Sequence, residues 1–412
     1  MTRAETNSIL APGARLEVCI EKLVHGGLGL ARHQGQVLLV GYALPGERVR
    51  VELRQRRSGF WQAGLVEVLE PASGRLTPPC PYYGRCGGCR LQHAEYALQL
   101  EIKRAILLET LRRIGRIEPP SAPEIVAGPC WEYRNRVQLH LRGRRLGFFE
   151  ASSQRICVVE QCMIASPRIN QVLLAVQELA AAGDLPPMPS TVEIFTDGER
   201  VQVGLDLPPG TRIRSDVLLA RLSNRAPGVS SEPLEYAAAG EKFRVGRRSF
   251  FQVNRFLIAE LLEHALRGAA GRRALDLYAG VGLFTLPMAR RFAQVTAVES
   301  SGPAAEDLAF NTQRAGLPVE VRRADAAAFL ASLTDAPDFV LADPPRAGLG
   351  PNVVRELLRL KPPGIRLVGC DPATLARDLA LLVAGGYRLE HLTLLDLFPQ
   401  THHLEVVAAL GL

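Results

Sequence analysis

Cys370 sits in the stretch Gly369-Cys370-Asp371-Pro372-Ala373-Thr374, between an apolar run (IRLVG) and a helix-like run (LARDLALLV). A cysteine at a strand end that opens into a ligand crevice is a candidate nucleophile, because a thiolate adds readily to electron-poor carbon. Carbon 5 of uracil is a poor nucleophile, but thiolate addition at carbon 6 makes an enolate that attacks a sulfonium methyl group. A base must then take the carbon 5 proton so that the sulfur can leave. Glu405, in FPQTHHLEVVAAL, is the candidate. The plain alternatives are a small core-filling thiol and a surface carboxylate at a strand start.

In Asp276-Leu-Tyr-Ala-Gly280-Val-Gly282-Leu-Phe284 an apolar strand runs into a glycine turn and then a helix, where nucleotide-like ligands sit in parallel sheets. Thr285 occupies the place of the third glycine of a dinucleotide fingerprint, which counts against NAD and FAD. Glu299 ends the following strand, where a carboxylate binds ribose hydroxyls. A short glycine turn with no pyrophosphate cradle fits S-adenosylmethionine. Asp325 (RRAD) and Asp343 (VLADPPRAG) each end a further strand, so both carboxylates are expected in the same crevice. The Asp-Pro-Pro turn alone also suits methylation of an adenine nitrogen.

Cys80, Cys86 and Cys89 form C-x5-C-x2-C, a spacing that brings three thiolates around one centre. In a reducing compartment this means a metal or cluster rather than disulfides. Cys157 or Cys162 would complete four ligands, for an iron-sulfur cluster or for zinc.

These residues need a scaffold, and the sequence outlines a multidomain α/β protein. From Arg15 to about Glu70, alternating apolar residues broken by Gly and Pro predict a small β-barrel. The cysteine loop follows, then an amphipathic helix over about 96–114, then mixed strands and helices over 120–235. Beyond 236, apolar strands alternate with helices, the pattern of a doubly wound parallel sheet. The expected domains are therefore 1–72, 73–235 and 236–412.

With 412 residues and 47% hydrophobic content the chain has ample material for cores, and its net charge of +7 suits a polyanionic partner. Arginines interleave with aromatics around Phe60 and Trp61 and again around Tyr133, Phe148 and Phe149, a mixture suited to phosphates and unstacked bases. No apolar run approaches the roughly 18 residues of a membrane helix, and the first residues lack the apolar core of a leader. The expectation is a cytoplasmic protein with no membrane and no obligate protein partner.

The motifs CGGCRLQHAEYALQLEIK, SFFQVN, DLYAGVGLFTLPMA, ADPPRAGL, CDPATLARDL and FPQTHHLEVV resemble those of the RNA (uracil-5-)-methyltransferase family, in particular the 23S rRNA branch of the uridine-1939 type. The resemblance covers nearly the whole chain. It implies an N-terminal TRAM domain of OB type, a [4Fe-4S] domain and a C-terminal Rossmann-like methyltransferase domain. Carried over by position, it implies Cys80, Cys86, Cys89 and Cys162 as cluster ligands. It likewise implies Gln252, Tyr278, Glu299 and Asp343 as contacts to the methyl donor, Cys370 as nucleophile and Glu405 as base; the glycine turn and strand ends add Gly280, Gly282 and Asp325 to the expected donor site. The chain departs from the family at Gly369 and Asp371, where Ser and Asn are common, and at Leu283, where Asn is common. An anion at Asp371 is expected to oppose formation of the thiolate. The competing readings are a tRNA uracil-5-methyltransferase, an adenine methyltransferase that does not use Cys370, and a non-catalytic RNA-binding assembly factor.

Overall fold

Alternating exposed and buried positions along Arg15–Cys19 place Leu16 and Val18 on one face of a sheet, as the period of two requires. The computed structural model describes residues 10–185, 188, 190–207 and 215–412, so most of the stretch inspected for a leader lies outside the described residues. The chain divides into two compact units, Met1–Ile106 with Gln400–His402, and Leu107–Pro399 with His403–Leu412.

In the first unit six strands form one sheet in the order Arg15–Cys19, Arg48–Arg57, Phe60–Glu70, Gln36–Gly41, Leu28–His33, Lys22–Val24. Pairing is antiparallel except between Gln36–Gly41 and Phe60–Glu70, which run parallel. Leu38, Val40, Val49, Val51, Leu53 and Trp61 fill its core. Buried Glu47 ties the sheet to the segment that follows, accepting from Leu44 N at 2.8 Å and from Arg75 Nε at 2.6 Å. The helix expected over 96–114 is α-helical over Tyr96–Thr110 and widens into one π turn, Leu111–Gly115, which stops at Arg116 in left-handed conformation.

The second unit begins with a six-stranded sheet in the order Ile156–Cys157, Arg145–Phe149, Arg136–Arg142, Ser190–Thr196, Val201–Asp206, Val229–Ser230. The helix Pro167–Ala182 covers it with Ile169, Val172, Leu173, Val176 and Leu179, the i, i+3, i+4 stripe of an amphipathic helix. Ser166 caps that helix, and Gly183 ends it with a left-handed φ of 84°.

The larger sheet runs Val319–Arg323, Gln294–Glu299, Arg273–Leu277, Phe339–Ala342, Gly364–Gly369, Glu405–Gly411, Arg388–Leu395, Glu124–Val126. Its first five members are parallel neighbours. The chain leaves Arg273–Leu277 toward one edge, through Gln294–Glu299, and later returns on its other side at Phe339–Ala342. This reversal of strand order opens a crevice at the carboxyl end of Arg273–Leu277, the position where open α/β sheets bind ligands. Glu405–Gly411 is inserted antiparallel between Gly364–Gly369 and Arg388–Leu395. The three-residue edge strand Glu124–Val126 pairs parallel with Arg388–Leu395, and Glu124 there binds Arg267 at 2.7 Å.

Candidate active site

The glycine turn follows from the strand that feeds it. Asp276 is buried on that strand and accepts from Thr285 Oγ1 at 2.5 Å, which ties the strand to the short helix beyond the turn. Its other oxygen, Oδ1, is buried with no hydrogen-bond partner. Burial, with Asp343 and Glu299 adding repulsion, pushes the Asp276 carboxyl up to about 7. Tyr278, Gly280 and Gly282 all take positive φ, at 62°, 56° and 97°. A methyl at Gly282 would sit 2.8 Å from Leu308 Cδ1, so that glycine serves close packing. A methyl at Gly280 would meet nothing within 4 Å, so the backbone there faces open space.

Glu299 links the turn to the next strand. Its Oε2 accepts from Gly280 N at 2.8 Å and its Oε1 from Ser301 N at 2.7 Å. The carboxylate therefore braces the turn itself, with lone pairs left for a ligand hydroxyl. Asp325 caps the helix Ala326–Ser332 by accepting from Ala328 N at 3.0 Å. An open turn backed by an orphaned carboxylate oxygen and two acidic strand ends fits a cationic, ribose-bearing cofactor. Gln252 is buried, and its carbonyl accepts from Asn135 Nδ2 at 3.0 Å.

At the neighbouring strand ends three acids converge. Gly369 pairs with Val406, so the next residues along each strand, Cys370 and Glu405, lie side by side at the crevice. Asp343 follows Phe339–Ala342, and its N–H donates to Leu277 O at 3.3 Å. Removal of water raises the Asp343 carboxyl to about 7. The Glu405 carboxyl is held well above its ordinary range by burial and by Asp343. Burial, then Glu405 and Asp343, push the Cys370 thiol up to about 11, with Arg346 opposing. Asp343 thus opposes ionisation of Glu405, and both oppose ionisation of Cys370.

Asp371, beside Cys370, also holds local structure. It caps the helix Pro372–Ala384, accepting from Ala373 N at 2.9 Å and Thr374 N at 3.0 Å. The neighbours that raise the thiol are Glu405 and Asp343. Leu283 packs into the apolar core between the sheet and its helices.

The loop after Asp343 is held by the same helix. Thr374 Oγ1 donates to Arg346 O at 3.1 Å, Arg377 Nη2 to Ala347 O at 2.8 Å, and Leu349 N to Asp378 Oδ2 at 2.7 Å. Pro344, Pro345, Gly348, Cys370, Asp371 and Thr374 line the resulting pocket. Thr374, Arg377 and Asp378 were not among the expected site residues, although all three belong to the motif CDPATLARDL that pointed to Cys370.

The cysteine loop lies in the first unit and Cys162 in the second. Cys86 N donates to Tyr82 O at 2.8 Å in a run of turns. Cys162 N donates to Asn170 Oδ1 at 2.8 Å, and Cys157 is buried in a strand. Among the described residues no three His, Cys, Asp or Glu side chains are gathered so as to hold a metal ion.

A doubly wound sheet with its glycine turn at the switch point suits a nucleotide-like cofactor, and the chain's similarity to known proteins gives the class: a methyltransferase that uses S-adenosylmethionine. The family model described as tRNA (Uracil-5-)-methyltransferase matches residues 231–411, and the TRAM domain model matches residues 11–66. A 23S rRNA (uracil(1939)-C(5))-methyltransferase RlmD of Chromohalobacter salexigens is 36% identical, over 94% of this chain and 87% of its own. An uncharacterized RNA methyltransferase of Aquifex aeolicus is 33% identical over 96% of this chain and 98% of its own. The crystal structure of Pyrococcus abyssi tRNA (uracil-54, C5)-methyltransferase with S-adenosyl-L-homocysteine has a TM-score of 0.74 and 26% identity, covering 96% of this chain and 100% of that one. The chain belongs to the RNA (uracil-5-)-methyltransferase family and carries a TRAM domain at its N-terminal side.

Proposed function

We propose that the protein methylates carbon 5 of a uridine in 23S rRNA, through a covalent bond between Cys370 and the uracil ring. The observation that carries this reading is the side-by-side placement of Cys370 and Glu405 at the crevice, with Asp343 as third member. When bound, S-adenosylmethionine supplies an electrophilic methyl group on a positively charged sulfur. Gln252, Tyr278, Gly280, Gly282, Glu299 and Asp325 are assigned to its binding, with Asp343 between donor and uracil edge.

A positive charge beside these three acids favours their ionised forms, which suits a thiol that must become a thiolate. Cys370 Sγ, once deprotonated, bonds to carbon 6, and the ring electrons move to form an enolate. Carbon 5 takes the methyl group, Glu405 accepts the carbon 5 proton, and the carbon–sulfur bond breaks to restore the double bond and the thiolate. The target base has to leave its stack to reach Cys370, so the substrate is a single-stranded or looped segment.

The test is a 23S rRNA fragment carrying 5-fluorouridine, incubated with the protein and S-adenosylmethionine and mapped by mass spectrometry. Fluorine blocks the final elimination. A Cys370 adduct bearing one added methyl group supports the reading, and no adduct with RNA binding intact sinks it. The full-length similarity to a tRNA-modifying structure favours tRNA as second substrate class. The same assay on tRNA separates the two.

The [4Fe-4S] cluster on Cys80, Cys86, Cys89 and Cys162 is a separate proposal, supported by C-x5-C-x2-C spacing and by the family resemblance, with zinc as alternative. Iron, sulfide and zinc assays on anaerobically purified protein decide it: about four irons per chain support it, while one zinc or no metal overturns it. Action on rRNA places the protein in the cytoplasm.

A further inference from the structure

We infer that a second cleft, in the Leu107–Pro399 unit and away from Cys370 in sequence, holds one unpaired nucleotide of the RNA substrate. The inference rests on the RNA reading above but not on Cys370 chemistry. The cleft has a volume of about 440 Å³ between the start of the helix Pro167–Ala182, the turn Thr196–Gly198, Tyr236 and the pair Arg255–Phe256. That size lies within the roughly 300–1,000 Å³ of small-ligand sites.

Two independent features, a linked polar pair and an aromatic platform, point to a nucleotide. Asn135 lines the cleft and is 1% exposed, and its Oδ1 has no hydrogen-bond partner while its Nδ2 donates to Tyr236 Oη and Gln252 O, both at 3.0 Å. A buried amide oxygen left unpaired calls for an N–H donor, which every nucleobase edge offers. Because Tyr236 Oη accepts from Asn135, its own proton is available to a ring nitrogen or carbonyl beside that donor. Phe256 is 37% exposed, and the Arg255 guanidinium stacks over its ring at 4.3 Å, a platform suited to a base.

The charge is also right for a phosphate. Arg168 and Arg255 line the cleft with the positive end of a sixteen-residue helix. Its acid, Asp197, is already used locally, with Oδ1 accepting from Glu199 N at 3.0 Å and Arg200 N at 2.7 Å. Arg255 is fixed by a bond from Nε to Glu132 O at 3.0 Å, which leaves its terminal nitrogens for the ligand.

The full chain and its Arg255→Ala, Phe256→Ala and Phe256→Tyr variants are assayed for methyl transfer to a 23S rRNA fragment, with filter binding of the same RNA. Loss of one stacked base raises the KM for RNA about five- to tenfold in Phe256→Ala with kcat unchanged, and Phe256→Tyr restores it. Arg255→Ala lowers the slope of log affinity against log salt by about one contact. An unchanged KM and affinity in both alanine variants overturns the assignment, as does a fall in kcat at constant KM. Should the wild type methylate no uridine, filter binding alone decides the cleft: a five- to tenfold weaker complex keeps it, and unchanged binding removes it.

Discussion

The carboxylate of Asp378 accepts the backbone N–H of Leu349 at 2.7 Å, so a helix that starts beside Cys370 also sets the loop that follows Asp343. A methyl on Gly348 would come within 2.3 Å of the same oxygen, which shows how closely the loop is drawn onto the helix. Asp378 is buried and touches neither Cys370 nor Glu405 through a hydrogen bond, and it acts by positioning. Asp378→Ala is expected to cost about 1–3 kcal/mol of stability, from the unpaired amide it leaves. It should also lower kcat/KM at least tenfold, with Asp378→Asn closer to wild type. Denaturant unfolding and steady-state kinetics check both, and a normal kcat/KM in Asp378→Ala would remove the loop-setting role.

Cys370 and Glu405 are expected to fail at different stages. Cys370→Ala abolishes both methyl transfer and covalent RNA, a loss of about a thousandfold or more. Glu405→Gln still forms the bond to carbon 6 and accepts the methyl group, but holds the proton on carbon 5. It therefore accumulates a methylated, denaturation-resistant RNA complex on ordinary uridine, visible as a shifted band on a denaturing gel. Wild-type turnover by Glu405→Gln would falsify its role as the base.

Asp276 makes stability depend on pH in a stated direction. Its carboxyl lies at about 7 in the fold, against an ordinary value of 3.8. Between those values the unfolded chain has released a proton that the folded chain keeps, so stability from this group is lost as pH rises from about 4 to about 7 and stays lost above. Asp276→Asn keeps an acceptor for Thr285 and removes the titration. Urea unfolding at pH 5 and pH 8 should show a smaller loss in the variant, and an equal loss in both proteins counts against a raised Asp276.

Gly280 and Gly282 separate ligand space from packing space. Gly282→Ala combines a φ of 97° with the Leu308 clash and is expected to cost about 2–4 kcal/mol, read as a lowered melting temperature. Gly280→Ala, with open space around it, costs about 1–2 kcal/mol from its φ and raises the KM for S-adenosylmethionine more than it lowers stability. A reversed ranking of the two effects contradicts the division of roles.

The parallel part of the larger sheet was legible in the sequence because its strands are short apolar runs, each with a candidate site residue at or near its end: Asp276, Glu299, Asp325, Asp343 and Cys370. Periodicity finds such strands without tertiary information. The edge strand Glu124–Val126 was not legible, since three half-buried residues carry no alternation and it pairs with residues Thr393–Leu395, far along the chain. The capping role of Asp371 was written locally as Asp-Pro at a helix start, yet its charge drew attention to the thiol instead. Thr374, Arg377 and Asp378 looked like ordinary helix residues, because what they hold is backbone more than twenty residues away.

The antiparallel insertion of Glu405–Gly411 bears on how the protein comes into being. A nascent or clipped chain that stops short of residue 405 lacks Glu405, and it also leaves Gly364–Gly369, the strand that leads into Cys370, without its antiparallel neighbour. One cut therefore removes Glu405 and a sheet neighbour of the strand that leads into Cys370 together.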